Sequence, residues 1–406
     1  MNGSGNAQDV YELGPGKSIK RELAGGQQHT YKLKLSADQF LQAFVEQEGI
    51  DVTVQVMGPD GKQMLEFDFE ARLQGVEEVP LVAEAAGDYR LIVQSKYKEV
   101  SAGFYEIRIK ELRAATSNDR SLQEASMLDG DSTRLLTGGK YDEARPLMEH
   151  ALEIRERILG LDDLLVARSL GNLARLYIEL GDYAKAELQI RRALAIREKA
   201  LEPEHPDIAQ SLNDLANLYR YREEYTKAEP LYQRSLSIRE KALGPEHPDV
   251  ASSLANLATL YFVRSDYVRA EPLYQRALKI CEKILGPENP AVAIVLNNLA
   301  HFYDGKGDYP RAEQLGLRSL AIREKILGSE HPQVAESLNL LANLYNNRGE
   351  YEKAEPLYQR ELAIAEKSLG PEHPGTAIVL NNLASLYSNK GDYTKAEPFF
   401  QRVLTI

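Results

Sequence analysis

Nucleophilic chemistry at sulfur could start only at Cys281, the one cysteine among 406 residues, in the stretch ALKICEKILGPENP (277–290). A reactive cysteine needs a depressed pKa and a base within hydrogen-bond reach. Seven histidines are available, but none stands close to Cys281 in the sequence. His205, His247, His331 and His373 all occur in the same string, Glu-His-Pro, with Asn289 and Asp163 at the equivalent places elsewhere. That pattern gives them a loop or helix-start role rather than that of converging zinc ligands. His150 falls in a column otherwise filled by arginine. No dinucleotide, P-loop, zincin or nucleophile-elbow string appears. The chain is therefore read as no enzyme, with no catalytic, metal or cofactor residues and no cofactor, and Cys281 as a passenger.

What must position these residues is a repeat. Tyr141, Tyr183, Tyr225, Tyr267, Tyr309, Tyr351 and Tyr393 are each 42 residues apart, and alanine follows three residues later at Ala144, Ala186, Ala228, Ala270, Ala312, Ala354 and Ala396. A second tyrosine column runs Tyr177, Tyr219, Tyr261, Tyr303, Tyr345, Tyr387. Such a register marks stacked supersecondary units. Each unit reads as two helices. In the first helix Leu212, Leu215, Ala216 and Tyr219 form an amphipathic stripe; in the second, Ala228, Leu231, Tyr232, Ser235 and Leu236 do. The alanine column implies close approach of the two.

Gly139, Gly181, Gly307, Gly349 and Gly391 fit the left-handed position of the turn between them. Asp182, Asp266, Asp308 and Asp392 follow as N-caps. Glu223 and Ser265 replace the glycine, so those two turns are expected to be less well formed. Pro206, Pro248, Pro290, Pro332 and Pro374 suit first helical positions. Pro230, Pro272, Pro356 and Pro398 lie inside second helices and predict local bends, with straighter helices at Leu188 and Gln314. In this register Cys281 is equivalent to Arg155, Arg197, Arg239, Arg323 and Ala365, a column expected to be exposed or half-exposed.

Before residue 112 the period is two. TYKLKL (30–35), DVTVQV (51–56), MLEFDF (64–69), DYRLIV (88–93) and FYEIRI (104–109) alternate apolar and polar residues, and GPDG (58–61) makes a tight turn. These short strands predict a β-sandwich. The fold class is α+β multidomain: residues 1–17 a disordered polar leader, 18–112 the sandwich, 113–160 a linker and degenerate first repeat, and 161–406 six units, the last truncated, making a right-handed superhelical solenoid. ELRAATSND (111–119) is the connection.

A net charge of −12 without a long basic run argues against nucleic acid as a partner. No apolar stretch reaches membrane-spanning length, and residues 1–17 carry no signal-peptide pattern. The chain as written reads as cytoplasmic and monomeric, with no membrane partner; removal of a signal peptide from a longer precursor, and export, is left open.

The spacing of Leu212, Leu215-Ala216, Tyr219, Ala228, Tyr232 and Ser235 resembles the tetratricopeptide repeat. The period and the string LGPEHPDVASSLANLATLYFVRSDYVRAEPLYQRALKICEK resemble its kinesin light chain type. The resemblance covers about residues 120–406 and implies a non-catalytic groove for extended peptides. VTVQVMGPDGKQ and AGDYRLIVQS resemble the bacterial pre-peptidase C-terminal sandwich. Together the two regions look like part of bacterial proteins that end in a caspase-like CHAT peptidase domain. The chain stops at FFQRVLTI and is read as a fragment.

One step round from the core stripe of the first helices, two columns are expected to face the groove: Gly171, Asn213, Ala255, Asn297, Asn339, Asn381, and Arg175, Asn217, Thr259, His301, Asn343, Ser385. Asparagine is a weak helix former, so its recurrence needs a reason. Either the amides bond repeat to repeat, or they clamp the backbone of a bound peptide, since asparagine both donates and accepts. Arg168, Arg175 and Arg220 make the early end basic. Ala255, Phe262, Val263 and Ile294 make the middle apolar, and Asn339, Asn343, Asn346 and Asn347 make the later part neutral and polar. The expected partner is a protein or peptide segment that is acidic with one apolar anchor. The leading reading is a non-enzymatic interaction scaffold. The other is the sensor portion of a CHAT-type cysteine peptidase whose catalytic domain lies outside this chain.

Overall fold

The computed structural model describes residues 10–67, 74–95, 102–137 and 139–406. Residues 1–9 of the polar leader and 68–69 of the MLEFDF run lie outside them. The chain divides into two compact units, residues 1–135 with 142–173, and residues 136–141 with 174–406.

Among the described residues the first unit begins with nine strands: β1 (Val10–Glu12), β2 (Ser18–Leu23), β3 (Gln28–Leu35), β4 (Gln39–Glu48), β5 (Val52–Met57), β6 (Gln63–Phe67), β7 (Gln74–Val82), β8 (Gly87–Ser95) and β9 (Gly103–Ala114). They form two sheets, ordered β1-β3-β8-β5-β6 and β2-β9-β4-β7. Period-two alternation does the work the sequence implied: on β3, Tyr31, Leu33 and Leu35 are buried while Lys32 and Lys34 are exposed. The core joins Val54, Leu91 and Val93 of one sheet to Leu41, Val45 and Ile107 of the other. In the 58–61 turn, the Gly61 N–H donates to Gly58 O at 3.0 Å with Gly61 at φ 80°.

Two sequence expectations change here. Val10–Glu12 is not leader but a strand, paired parallel with Thr30–Lys32 of β3. The expected connection at 111–119 shrinks to Ala115 and Thr116, because β9 runs to Ala114 and α1 (Ser117–Thr137) starts at once. α1 is held against the sandwich. The Gln123 side-chain amide accepts from Val82 N–H at 2.6 Å and donates to Val82 O at 3.2 Å, as a neighbouring strand would at the edge of β7. Arg113 pairs with Asp119 at 2.5 Å, and this bond holds the Asp119 carboxyl well below the usual carboxylate range.

Among the described residues thirteen further helices follow, paired by short turns: α2 (Tyr141–Leu159), α3 (Leu164–Glu179), α4 (Tyr183–Ala200), α5 (Pro206–Tyr221), α6 (Tyr225–Leu243), α7 (Pro248–Val263), α8 (Tyr267–Leu285), α9 (Pro290–Lys306), α10 (Tyr309–Leu327), α11 (Pro332–Asn347), α12 (Tyr351–Ser368), α13 (Pro374–Asn389) and α14 (Tyr393–Thr405). The alanine column is buried throughout. His205, His247, His331 and His373 are N-caps of the first helices, each Nδ1 accepting the N–H two residues on, as Asn289 Oδ1 does in α9. Asp182, Asp266, Asp308 and Asp392 cap the second helices. Pro146, Pro230, Pro272, Pro356 and Pro398 sit inside helices that continue past them.

The turns at Glu223 and Ser265 are not less well formed. Both residues adopt the left-handed conformation of the glycines they replace, φ 59° and 60° against 73° at Gly181 and Gly349. The register of the stack imposes the geometry, and a side chain there carries a strain of about 1–2 kcal/mol.

Candidate functional site

In the second unit the second helix of one pair is bonded to the first helix of the next, and at some junctions the bonds lie near both ends of that contact. Near one end a glutamate of the second helix meets the tyrosine column. Tyr219 donates to Glu187 at 2.9 Å, Tyr261 to Glu229 at 3.0 Å, Tyr303 to Glu271 at 2.9 Å, and Tyr345 to Glu313 and Tyr387 to Glu355 at 2.8 Å. A cation three residues beyond each tyrosine binds the same carboxylate: Arg222, Arg264, Lys306, Arg348 and Lys390. The Lys306 bond lowers the Glu271 pKa, and the Tyr387 bond lowers that of Glu355. Each ring also lies under a cation of its own pair, Arg269 4.0 Å from the Tyr261 centroid.

The bonds near the other end correct the sequence reading of the Cys281 column, which is buried rather than half-exposed. Arg197 donates to Ser211 Oγ at 2.6 Å, Arg239 to Ser253 at 2.9 Å and Arg323 to Ser337 at 3.0 Å; within the first unit Arg155 reaches Ser169 at 2.7 Å. The partner always lies 14 residues on, in the first helix of the following pair. Where the column holds Cys281 or Ala365 instead, position +14 holds Val295 or Val379. Both partners change together because a buried guanidinium without an acceptor, or a buried hydroxyl without a donor, is costly. Cys281 is 3% exposed, and burial pushes its thiol up to about 11, so the thiolate is scarce at neutral pH. Among the described residues no group of three or more His, Cys, Asp or Glu side chains could hold a metal ion.

The asparagines of the first helices divide by burial. Asn213 and Asn297 do not face an open groove, being 6% and 8% exposed. The following pair covers them: Asn256 donates to Asn213 Oδ1 at 2.9 Å, and Ser337 lies against Asn297 Oδ1 at 3.5 Å. Asn217 and Asn343 are half-buried, each accepting a tyrosine hydroxyl of its own second helix, Tyr232 and Tyr358, at 2.6 Å. Thr259 meets Tyr274 in the same way at 2.8 Å. Asn343 donates to Asn339 Oδ1 at 2.8 Å, and Asn339 donates to Glu361 Oε1 at 2.9 Å. For these asparagines the repeat-to-repeat and helix-to-helix bonding weighed in the sequence accounts for most of the amide.

The other residues expected in the groove are partly exposed. Arg175 is exposed, and its charge acts on the buried carboxyl of Asp214, whose pKa burial nevertheless raises. Arg220 is half-buried, 4.5 Å from the Tyr221 ring centroid. Phe262 is half-buried against Phe302 and Tyr267, beside exposed Val263, and a side chain at Gly305 would strike its ring. Asn381 is exposed on α13. Arg168, half-buried on α3, belongs to the first unit. His301 is exposed and has no hydrogen-bond partner among the described residues, yet surrounding protein desolvates the ring and lowers its pKa.

His301 is unpartnered because the tyrosine slot of its second helix holds Gly316. The space is filled by Leu340, in a column that otherwise reads Asn172, Asp214, Asn256, Asn298 and Asn382; a Cβ at Gly316 would lie 2.8 Å from Leu340 Cδ2. This exchange was missed in the sequence, as was Glu361, although both break columns that aligning the units makes visible.

The tetratricopeptide repeat model matches residues 135–199, 189–241, 207–283, 254–325, 292–367 and 333–406. The chain belongs to the tetratricopeptide repeat family. It is similar to the crystal structure of a putative kinesin light chain with nearly identical TPR-like repeats from Podosopora anserina, at 30% identity over 50% of this chain and 97% of that chain, TM-score 0.41. It is also similar to BtubC (BKLC) from P. vanneervenii, at 26% identity over 62% and 92%, TM-score 0.43. Aspartyl phosphate phosphatase F from Bacillus subtilis shares the fold at 16% identity over 71% and 72%, TM-score 0.52. No curated protein matches. Among the described residues no helix is long and apolar enough to cross a membrane.

Proposed function

We propose that the chain is a non-enzymatic protein-interaction scaffold whose open first-helix stripe holds an extended peptide. The observation that carries this reading is that Arg175, His301 and Asn381 are exposed on the first helices, where Asn213 and Asn297 of the same columns are buried. The grading of the stripe names the partner. Arg175 and Arg220 favour acidic residues, Phe262, Val263 and exposed Ile294 favour one apolar anchor, and exposed His301 lies beside it in register. The two-sheet sandwich with its Gly58–Gly61 turn supports reading residues 18–112 as a pre-peptidase C-terminal-like module.

Selection from a random-peptide library on the full chain tests the reading. Selected peptides should combine acidic residues with one large apolar residue. Arg175→Glu with Arg220→Glu, and separately Ile294→Asp, should each weaken them at least about tenfold, the equivalent of 1.4 kcal/mol, with helicity unchanged. Undiminished binding in both variants would place the peptide elsewhere.

A further inference from the structure

The slot of Glu361 is small and buried in every earlier pair: Ala151, Ala193, Ser235, Ala277, Ser319. Where it is serine, the hydroxyl donates to a carbonyl of the partner helix, Ser235 to Ala209 O and Ser319 to Ala293 O, both at 2.8 Å. The slot therefore suits a donor. Glu361 places a carboxyl there, 5% exposed. Its Oε1 accepts from Asn339, while its Oε2 is buried without a partner. An ionised carboxylate can only accept; the protonated acid can donate as serine does.

No cation answers it from the packed elements. α13 contains no charged or histidine residue, and α11 contains only Glu336, which is taken by Arg323 at 2.8 Å. On α12 itself the Tyr358 hydroxyl is turned to Asn343. Lys353, Arg360 and Lys367 pair with Glu350, Glu324 and Glu330; Glu352 and Glu355 pair with Lys390, and Glu366 with Arg402.

We propose that Glu361 is a proton-operated clasp in the α11–α12 pair. Protonated, it fills the serine slot as a donor and holds Asn339. Ionised, it leaves an uncompensated charge among packed helices and loosens them. Burial raises its pKa from 4.5 to about 7 against the Asn339 bond, so the change falls near neutrality. The consequence for a ligand rests on the peptide-face reading, because loosening alters how Asn339 and Asn343 are offered.

Backbone hydrogen exchange of the full chain without peptide tests the clasp independently of that reading. Rates are compared near pH 6 and near pH 8 after correction for base catalysis. In the wild type, protection of α11 and α12 should fall about tenfold across this interval, while α5–α8 stay flat. Glu361→Gln, which is never charged, and Glu361→Ser, which restores the column's hydroxyl, should both abolish the fall. A wild type without the fall, or a Glu361→Gln variant that retains it, overturns the proposal. Failure of peptide selection would leave this result untouched.

Discussion

The pairs α5–α8 and α9–α12 are built on one template and differ in the chemistry of several slots. In α5–α8 the second-helix tyrosines Tyr232 and Tyr274 bond to Asn217 and Thr259, and Arg239 reaches Ser253. In α9–α12 the tyrosine of one pair is Gly316 with Leu340 against it, and the serine of the next is Glu361; at the border, Cys281 and Val295 stand where arginine and serine would. The helix-pair arrangement and the buried alanine column are the same in both regions. The difference teaches that the stack tolerates changed chemistry only when both sides of a contact change, or when the change leaves a group unpartnered. His301, exposed without a hydrogen-bond partner among the described residues, and the buried Glu361 Oε2 both lie in the second region.

The comparison can be broken most forcefully at Gly316. Gly316→Tyr imposes the α5–α8 template on a space that Leu340 and Leu341 already fill, and should destabilise by about 3 kcal/mol in chemical denaturation. Adding Leu340→Asn should recover at least about 1 kcal/mol of it. No recovery would mean the two residues do not compensate each other.

Glu361 sharpens the contrast through pH. Its folded pKa is raised from 4.5 to about 7, so its favourable contribution is full below about 4.5 and is lost as pH rises through about 7. The loss is on the order of 3 kcal/mol. The difference in unfolding free energy between wild type and Glu361→Gln should follow that curve. The smallest effect is expected in the turns. Ser265→Gly relieves a left-handed serine and should stabilise by up to about 1 kcal/mol, while the unfolded-state entropy of glycine trims the gain. A loss of stability would show that the Ser265 side chain does something the turn geometry does not explain.

Repetition made much of this legible in advance. The Tyr–Ala and His–Pro columns located the pairs, the turns and the caps, because each reflects a local backbone requirement met within one unit. Contacts between units were harder to see. Arg239 reads as a surface residue until Ser253 is brought against it, and Asn213 reads as open until Asn256 covers it. Comparing units column by column would have exposed the Cys281–Val295 and Ala365–Val379 exchanges. The burial of Glu361 was not available from periodicity, which assigns a slot but not its free volume. β1 escaped notice because three residues are too few to show alternation.

That a side chain's role follows from its slot and its partner's slot is tested most directly by a double-mutant cycle at the border of the two regions. Cys281→Arg alone buries a guanidinium against Val295 and should cost about 3–5 kcal/mol. Val295→Ser added to it supplies the acceptor found in the other pairs, and the two should couple favourably by about 2 kcal/mol. Additivity of the two changes within about 0.5 kcal/mol would contradict the account.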